Sequence, residues 1–124
     1  MISKLLLIAL GSGLGGVCRY LLSRVVHVSW LPAFPWGTLV VNVLGCLFIG
    51  LVYGLIDRGV AISENMRLLL TVGFCGGFTT FSTFMHENYL LFNTQQMLMV
   101  AMYAGLSFII GLLFVYVGYL MTSA

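Results

Sequence analysis

Four apolar stretches, at about residues 4–26, 36–57, 66–92 and 97–121, take up nearly all of this 124-residue chain. Each reaches the roughly 20 residues that an α-helix needs to cross a hydrocarbon core. A backbone in lipid must satisfy its own N–H and C=O groups, which leaves only helices or closed barrels. Long, unalternating apolar runs predict helices. Charged residues make up 6% of the chain, against about a quarter in soluble domains. The expected fold is therefore an all-α membrane protein, a single domain over residues 1–124 with four transmembrane helices. The links between them are short, so consecutive helices are expected to be antiparallel neighbours.

The first span begins like a signal peptide, with Lys4 ahead of Leu5 to Leu10. It has no convincing cleavage site and its apolar run continues too far, so a retained helix is expected. Gly11-Ser12-Gly13-Leu14-Gly15-Gly16 matches a dinucleotide-binding pattern, but no strand precedes it and no βαβ unit follows. Gly11 and Gly15 fit a small-xxx-small helix contact instead. Cys18, Cys46 and Cys75 all fall in spans, without metal-ligand spacing or an even count, and read as small core residues. One membrane face would carry Lys4, Arg58 and Arg67, with Asp57 and Glu64; the other would carry Arg24 and, if its side chain reaches the surface, Arg19. Three basic residues against two is a weak orientation signal. A chain so balanced is expected to insert both ways up, and an antiparallel pair would then supply an inverted repeat.

The third span holds Gly73-Phe74-Cys75-Gly76-Gly77-Phe78-Thr79-Thr80-Phe81-Ser82-Thr83-Phe84. Adjacent glycines followed by adjacent threonines make a poor continuous helix, so a break is expected near Gly76-Thr80. Non-helical backbone at membrane depth survives only where it is buried in protein or lines a wet cavity. Beyond the break, Phe81, Phe84 and Asn88 would share one helical face, and Thr80, Thr83 and Glu87 another. Elsewhere, Trp30, Pro32, Pro35 and Trp36 form an interfacial link. Asn42 interrupts an apolar run, where an amide needs partners. Tyr103, Ser107 and Gly111 fall at i, i+4, i+8 on the fourth span. That stripe suits either close packing or a wet wall. Arg19 can snorkel to the interface or serve a polar cavity, and Glu87 fits an interfacial place or a functional one.

A helix break frees carbonyls on one side and N–H groups on the other. Carbonyls near Gly76 and Thr79 suit a cation. With no carboxylate in the motif, a monovalent ion such as sodium fits better than calcium or magnesium. Two chains crossing here could share one such ion. The Asn42 amide and the hydroxyls of Ser82, Thr83, Tyr103 and Ser107 offer hydrogen-bond donors. The positive ring edges of Phe81 and Phe84 would add weak contacts to an anion. Such a lining favours a small, strongly hydrogen-bonding anion.

Three motifs carry a resemblance to a known family: Gly15-Gly16-Val17-Cys18-Arg19-Tyr20, Gly37-Thr38-Leu39-Val40-Val41-Asn42-Val43-Leu44-Gly45, and the residue 73–84 stretch. In this order, and with this length and span count, the chain resembles the Fluc (CrcB) family of bacterial fluoride channels. The resemblance implies an antiparallel, dual-topology homodimer in the bacterial inner membrane, with two fluoride pores and a central structural Na+. It implies passive, selective fluoride efflux that protects the cell, with Phe81 and Phe84 facing the ion, Asn42 beside them, and Ser82 and Thr83 on the same pathway. It places Arg19 and Glu87 at a vestibule, Tyr103 and Ser107 on a polar track, and the Gly76 and Thr79 carbonyls on the sodium. Gly111 and Val115 depart from that track, having no hydroxyls. The implied partners are fluoride, a second copy of the chain and the lipid bilayer, with no nucleic acid.

The strongest rival is a proton-coupled small multidrug antiporter, which needs a carboxylate deep in the first span. The first span has none, and Asp57, Glu64 and Glu87 lie at links or span ends. A holin-like or structural protein would leave Asn42, the glycine break and the phenylalanine pair unexplained. An enzyme is not expected: His27 and His86 have no partner at catalytic spacing, and Ser82 lacks a nucleophile-elbow pattern.

Overall fold

The computed structural model describes residues 1–26, 28–30 and 32–123; His27 lies outside them. Helix α1 runs Ile2–Val25 and α2 runs Trp36–Arg58. The third span is composite: α3 Glu64–Leu68, a π-helical stretch Leu69–Cys75, a short α4 Gly76–Phe78, and α5 Ser82–Asn93. Helix α6 runs Met97–Ser123. Among the described residues four spans are long and apolar enough to cross a membrane, and the chain is a multi-pass membrane protein. Their limits lie within a few residues of those read from the apolar runs.

Local chemistry sets the ends. Pro35 precedes α2, and Gly59, at φ 97°, closes it in the left-handed region that glycine tolerates. The Val60 N–H reaches back to the Leu55 carbonyl at 3.1 Å, completing a Schellman-type stop. Ser63 caps α3 by accepting from the Met66 N–H at 3.1 Å, with Glu64 in the first turn. Glu64 also binds Lys4 at 2.9 Å, joining the start of α1 to α3.

Two glycine-lined seams hold the bundle. Helix α1 packs against the π-helical stretch and α4. A Cβ on Gly15 would strike the Phe74 carbonyl oxygen, and one on Gly77 the Ser12 carbonyl oxygen. Helix α2 packs along α6 in the same direction, with Gly50 against Val115 and Gly118 against Leu47. Near one end, Phe34, Leu39, Leu91 and Tyr103 form a buried cluster.

The glycines of the third span are themselves helical. Gly76 has φ −62° and ψ −37°, and both glycines belong to α4. The departure comes at Thr79, whose φ of −86° and ψ of 159° are extended, and α5 resumes at Ser82. Gly77 is needed for close approach to α1, whereas the backbone turns out of the helix where Thr80 finds a partner on α2.

Candidate functional site

Asn42 organises the non-helical step. Its Nδ2 donates to the Thr80 carbonyl at 3.2 Å, and its Oδ1 accepts from the Thr80 N–H at 3.0 Å. In an unbroken α-helix that N–H would donate to the Gly76 carbonyl. The Thr83 N–H, which would donate to the Thr79 carbonyl, donates to Thr80 Oγ1 at 3.2 Å. The Gly76 and Thr79 carbonyls therefore lose their helical donors. Thr79 is anchored by its own hydroxyl, which donates to the Cys75 carbonyl at 2.7 Å. Arg19 Nε donates to the Gly77 carbonyl at 3.3 Å, tying α1 to the same step.

Those two carbonyls pass a simple test for a monovalent cation. They are neutral oxygens on adjoining turns, freed of N–H partners, and no group of three or more His, Cys, Asp or Glu side chains among the described residues could hold a metal instead. Both residues line a cavity of about 620 Å³.

That cavity also gathers Asn42, Phe81, Phe84 and Ser107. The Phe81 and Phe84 rings lie 6.3 Å apart, tilted at 46°. Phe81 is 73% exposed, unusual for a large ring beside a packed core. The Ser107 hydroxyl oxygen is buried and has no hydrogen-bond partner among the described residues.

A second, more polar cavity of about 320 Å³ brings together Arg19, Ser23, Thr38, Thr80, Thr83 and Glu87. Glu87 accepts from the Thr38 hydroxyl at 3.0 Å and from the Tyr103 hydroxyl at 2.8 Å. Tyr103 is fully buried; its ring packs edge-on to Phe34 at 5.4 Å and against Phe84 at 4.8 Å. Its hydroxyl thus meets the second cavity's carboxylate, while Ser107 lines the first. Thr80 and Asn42 stand where the two cavities approach each other. Ser82 is exposed on the first turn of α5 and lines neither cavity.

Sequence reasoning missed Thr38, Thr80 as a partner of Asn42, and the place of Cys46 opposite Gly111. Their signal was present: Thr38, Asn42 and Cys46 fall at i, i+4, i+8 on α2, the same spacing as Tyr103, Ser107 and Gly111 on α6. Because α2 and α6 run parallel, the two stripes lie side by side, turn against turn.

Comparison with known proteins gives one family. Residues 6–119 match the family described as CrcB-like protein, Camphor Resistance (CrcB). A protein named fluoride-specific ion channel FluC from Flavobacterium psychrophilum is 42% identical over 111 residues, 90% of each chain. One of the same name from Phocaeicola vulgatus is 53% identical over 85 residues, 68% of this chain and 69% of its own. A third, from Azobacteroides pseudotrichonymphae, is 37% identical over 123 residues, 99% of this chain and 98% of its own.

Proposed function

The chain belongs to the CrcB-like family, and on that premise we propose that it is a passive fluoride channel rather than an enzyme. The observation that carries the reading is the cavity that sets the Asn42 amide, the Phe81–Phe84 pair and the unpartnered Ser107 hydroxyl beside the non-helical step. Fluoride is small and binds hydrogen-bond donors strongly, so it needs short donors and excludes little by size alone. Oriented hydroxyl and amide N–H groups replace part of its hydration shell, and ring edges add weak attraction. The polar cavity at Arg19 supplies a cationic approach, and Glu87 holds the Thr38 and Tyr103 hydroxyls in fixed directions.

A single chain leaves Phe81 largely exposed and its cavity open on one side, which supports completion by a second copy. We propose an antiparallel homodimer in the bacterial inner membrane with two pores, favoured by the near-balance of basic residues on its two ends. A central Na+ would be held by the Gly76 and Thr79 carbonyls of both copies. Bound there, it supplies fixed positive charge that neutral backbone oxygens can coordinate without a carboxylate. Efflux through such a pore would lower cytoplasmic fluoride without coupling to another gradient.

The test is ion efflux from liposomes holding purified protein, with fluoride and chloride compared and charge shunted by a potassium ionophore. Rapid fluoride release with little chloride release, and no imposed proton or sodium gradient, is expected. Folded, dimeric protein that releases neither ion until a proton gradient is imposed would overturn the reading in favour of an antiporter coupled through Glu87.

A further inference from the structure

Cys46 lies one turn beyond Asn42 on α2 and lines the same cavity as Asn42, Phe81, Phe84 and Ser107. It is half-buried, whereas Cys75, which lines the same cavity, is 6% exposed. Opposite it on α6 stands Gly111, where a side chain would be met first by the Cys46 sulfur, 3.3 Å from an added Cβ. The sulfur therefore fills the space that Gly111 leaves open. One turn back on α6, Ser107 lines the same cavity, and its buried hydroxyl oxygen has no partner among the described residues. An unsatisfied buried donor points to a ligand or water at this place.

We propose that Cys46 lines the anion pathway at the level of Gly111, and that its thiol is a site for soft, thiol-seeking metal cations, which block the pathway on binding. The stripe Thr38, Asn42, Cys46 lies along Tyr103, Ser107, Gly111, so the polar lining passes from α6 to α2 where α6 has no side chain. A thiol is a weak donor and a soft ligand. Its sulfur reacts as thiolate, which requires access from a wet space. With methylmercury chloride the step balances without redox change: the Hg–Cl bond breaks, an S–Hg bond forms, and the thiol proton and chloride leave to water. The adduct places a methylmercury group in the cavity that Phe84 and Ser107 also line.

The inference rests on the fluoride-channel reading, so two readouts are needed. Proteoliposomes are treated with methylmercury chloride; fluoride efflux is measured, and the adduct is located by mass spectrometry of peptides from the same sample. Wild type and Cys18→Ser should fall to the efflux of protein-free liposomes and recover with dithiothreitol. Cys18 is exposed on α1 and lines no part of this cavity, so its variant should keep the untreated rate. Cys46→Ser should show the same rate treated and untreated, while Cys75→Ser should remain sensitive. Inhibition that persists in Cys46→Ser, or an adduct on Cys46 that leaves efflux unchanged, overturns the proposal. A folded dimer with no adduct on Cys46 also overturns it. Untreated protein that passes no fluoride counts against the channel reading instead, and the peptide adduct then still decides whether the Cys46 thiol is within reach of the reagent.

Discussion

At the scale of single residues, the proposed pathway assigns separable roles to a few groups. Within its own copy Phe81 has little packing to lose and a ring edge to offer, and isoleucine keeps an apolar side chain at the proposed subunit contact, so Phe81→Ile should leave dimer assembly intact while lowering fluoride efflux at least about tenfold, near 1.4 kcal/mol in the barrier. Unchanged efflux would remove the ring from the mechanism. Asn42 both faces the cavity and satisfies the Thr80 N–H and carbonyl. Asn42→Ala strips both partners from a part-buried peptide, which costs about 1–3 kcal/mol for each group left unsatisfied. A drop in thermal stability together with lost efflux is expected, and a stable variant that only conducts poorly would mean the clamp is dispensable. The need of Asn42 for a partner was legible, because an amide in an apolar run must be paired. The identity of that partner was not, since Thr80 is a backbone contact made 38 positions away. Glu87 was similarly half-read: its polarity showed in the sequence, but its grip on Thr38 and Tyr103 depends on how α2, α5 and α6 come together.

At the scale of elements, the third span shows how local and tertiary terms divide the work. Composition pointed to irregular backbone near Gly76-Thr80, and the non-helical step falls at the threonine end of that stretch. Gly76 and Gly77 stay helical because their lack of side chains serves contact with α1, and the step falls at Thr79–Phe81, where side chains of α2 and Thr80 itself take the N–H groups. Propensity is a weak prior against such contacts. Gly77→Ala should therefore act on packing: its methyl would meet the Ser12 backbone, which cannot rotate away. A destabilisation of about 1–3 kcal/mol or failure to assemble is expected, measured by dimer dissociation or thermal melting in detergent. Gly13→Ala on the open face of α1 is its control, since an added Cβ there meets nothing. Equal effects of the two would show that helix propensity, not the seam, matters.

At the scale of the whole molecule, the four spans and their order were legible because hydropathy over some 20 residues averages out local detail. How the two copies of the proposed dimer would meet was not, since a lipid-facing surface and a subunit-facing surface are both apolar. The sodium proposal belongs to this scale. Exchanging sodium for a large organic cation should dissociate the dimer or abolish efflux, read by size-exclusion and by liposome flux. Thr79→Ala keeps the carbonyl and should keep that sodium dependence; its loss would assign the ligand to the hydroxyl.

The two seams built on Gly15, Gly77, Gly50 and Gly118 also govern how the chain can vary. Every replacement of glycine adds at least one carbon, and at these four places that carbon points at the main chain of another helix. No choice of amino acid escapes the collision, and a compensating change elsewhere cannot shrink a carbonyl. A library of all single substitutions, selected for growth in fluoride, should be empty at these positions and well filled at Gly13, Gly16 and Gly105, where the same carbon enters open space. Tolerance in such a library would then trace the lines along which the helices touch, without any reference to the ion.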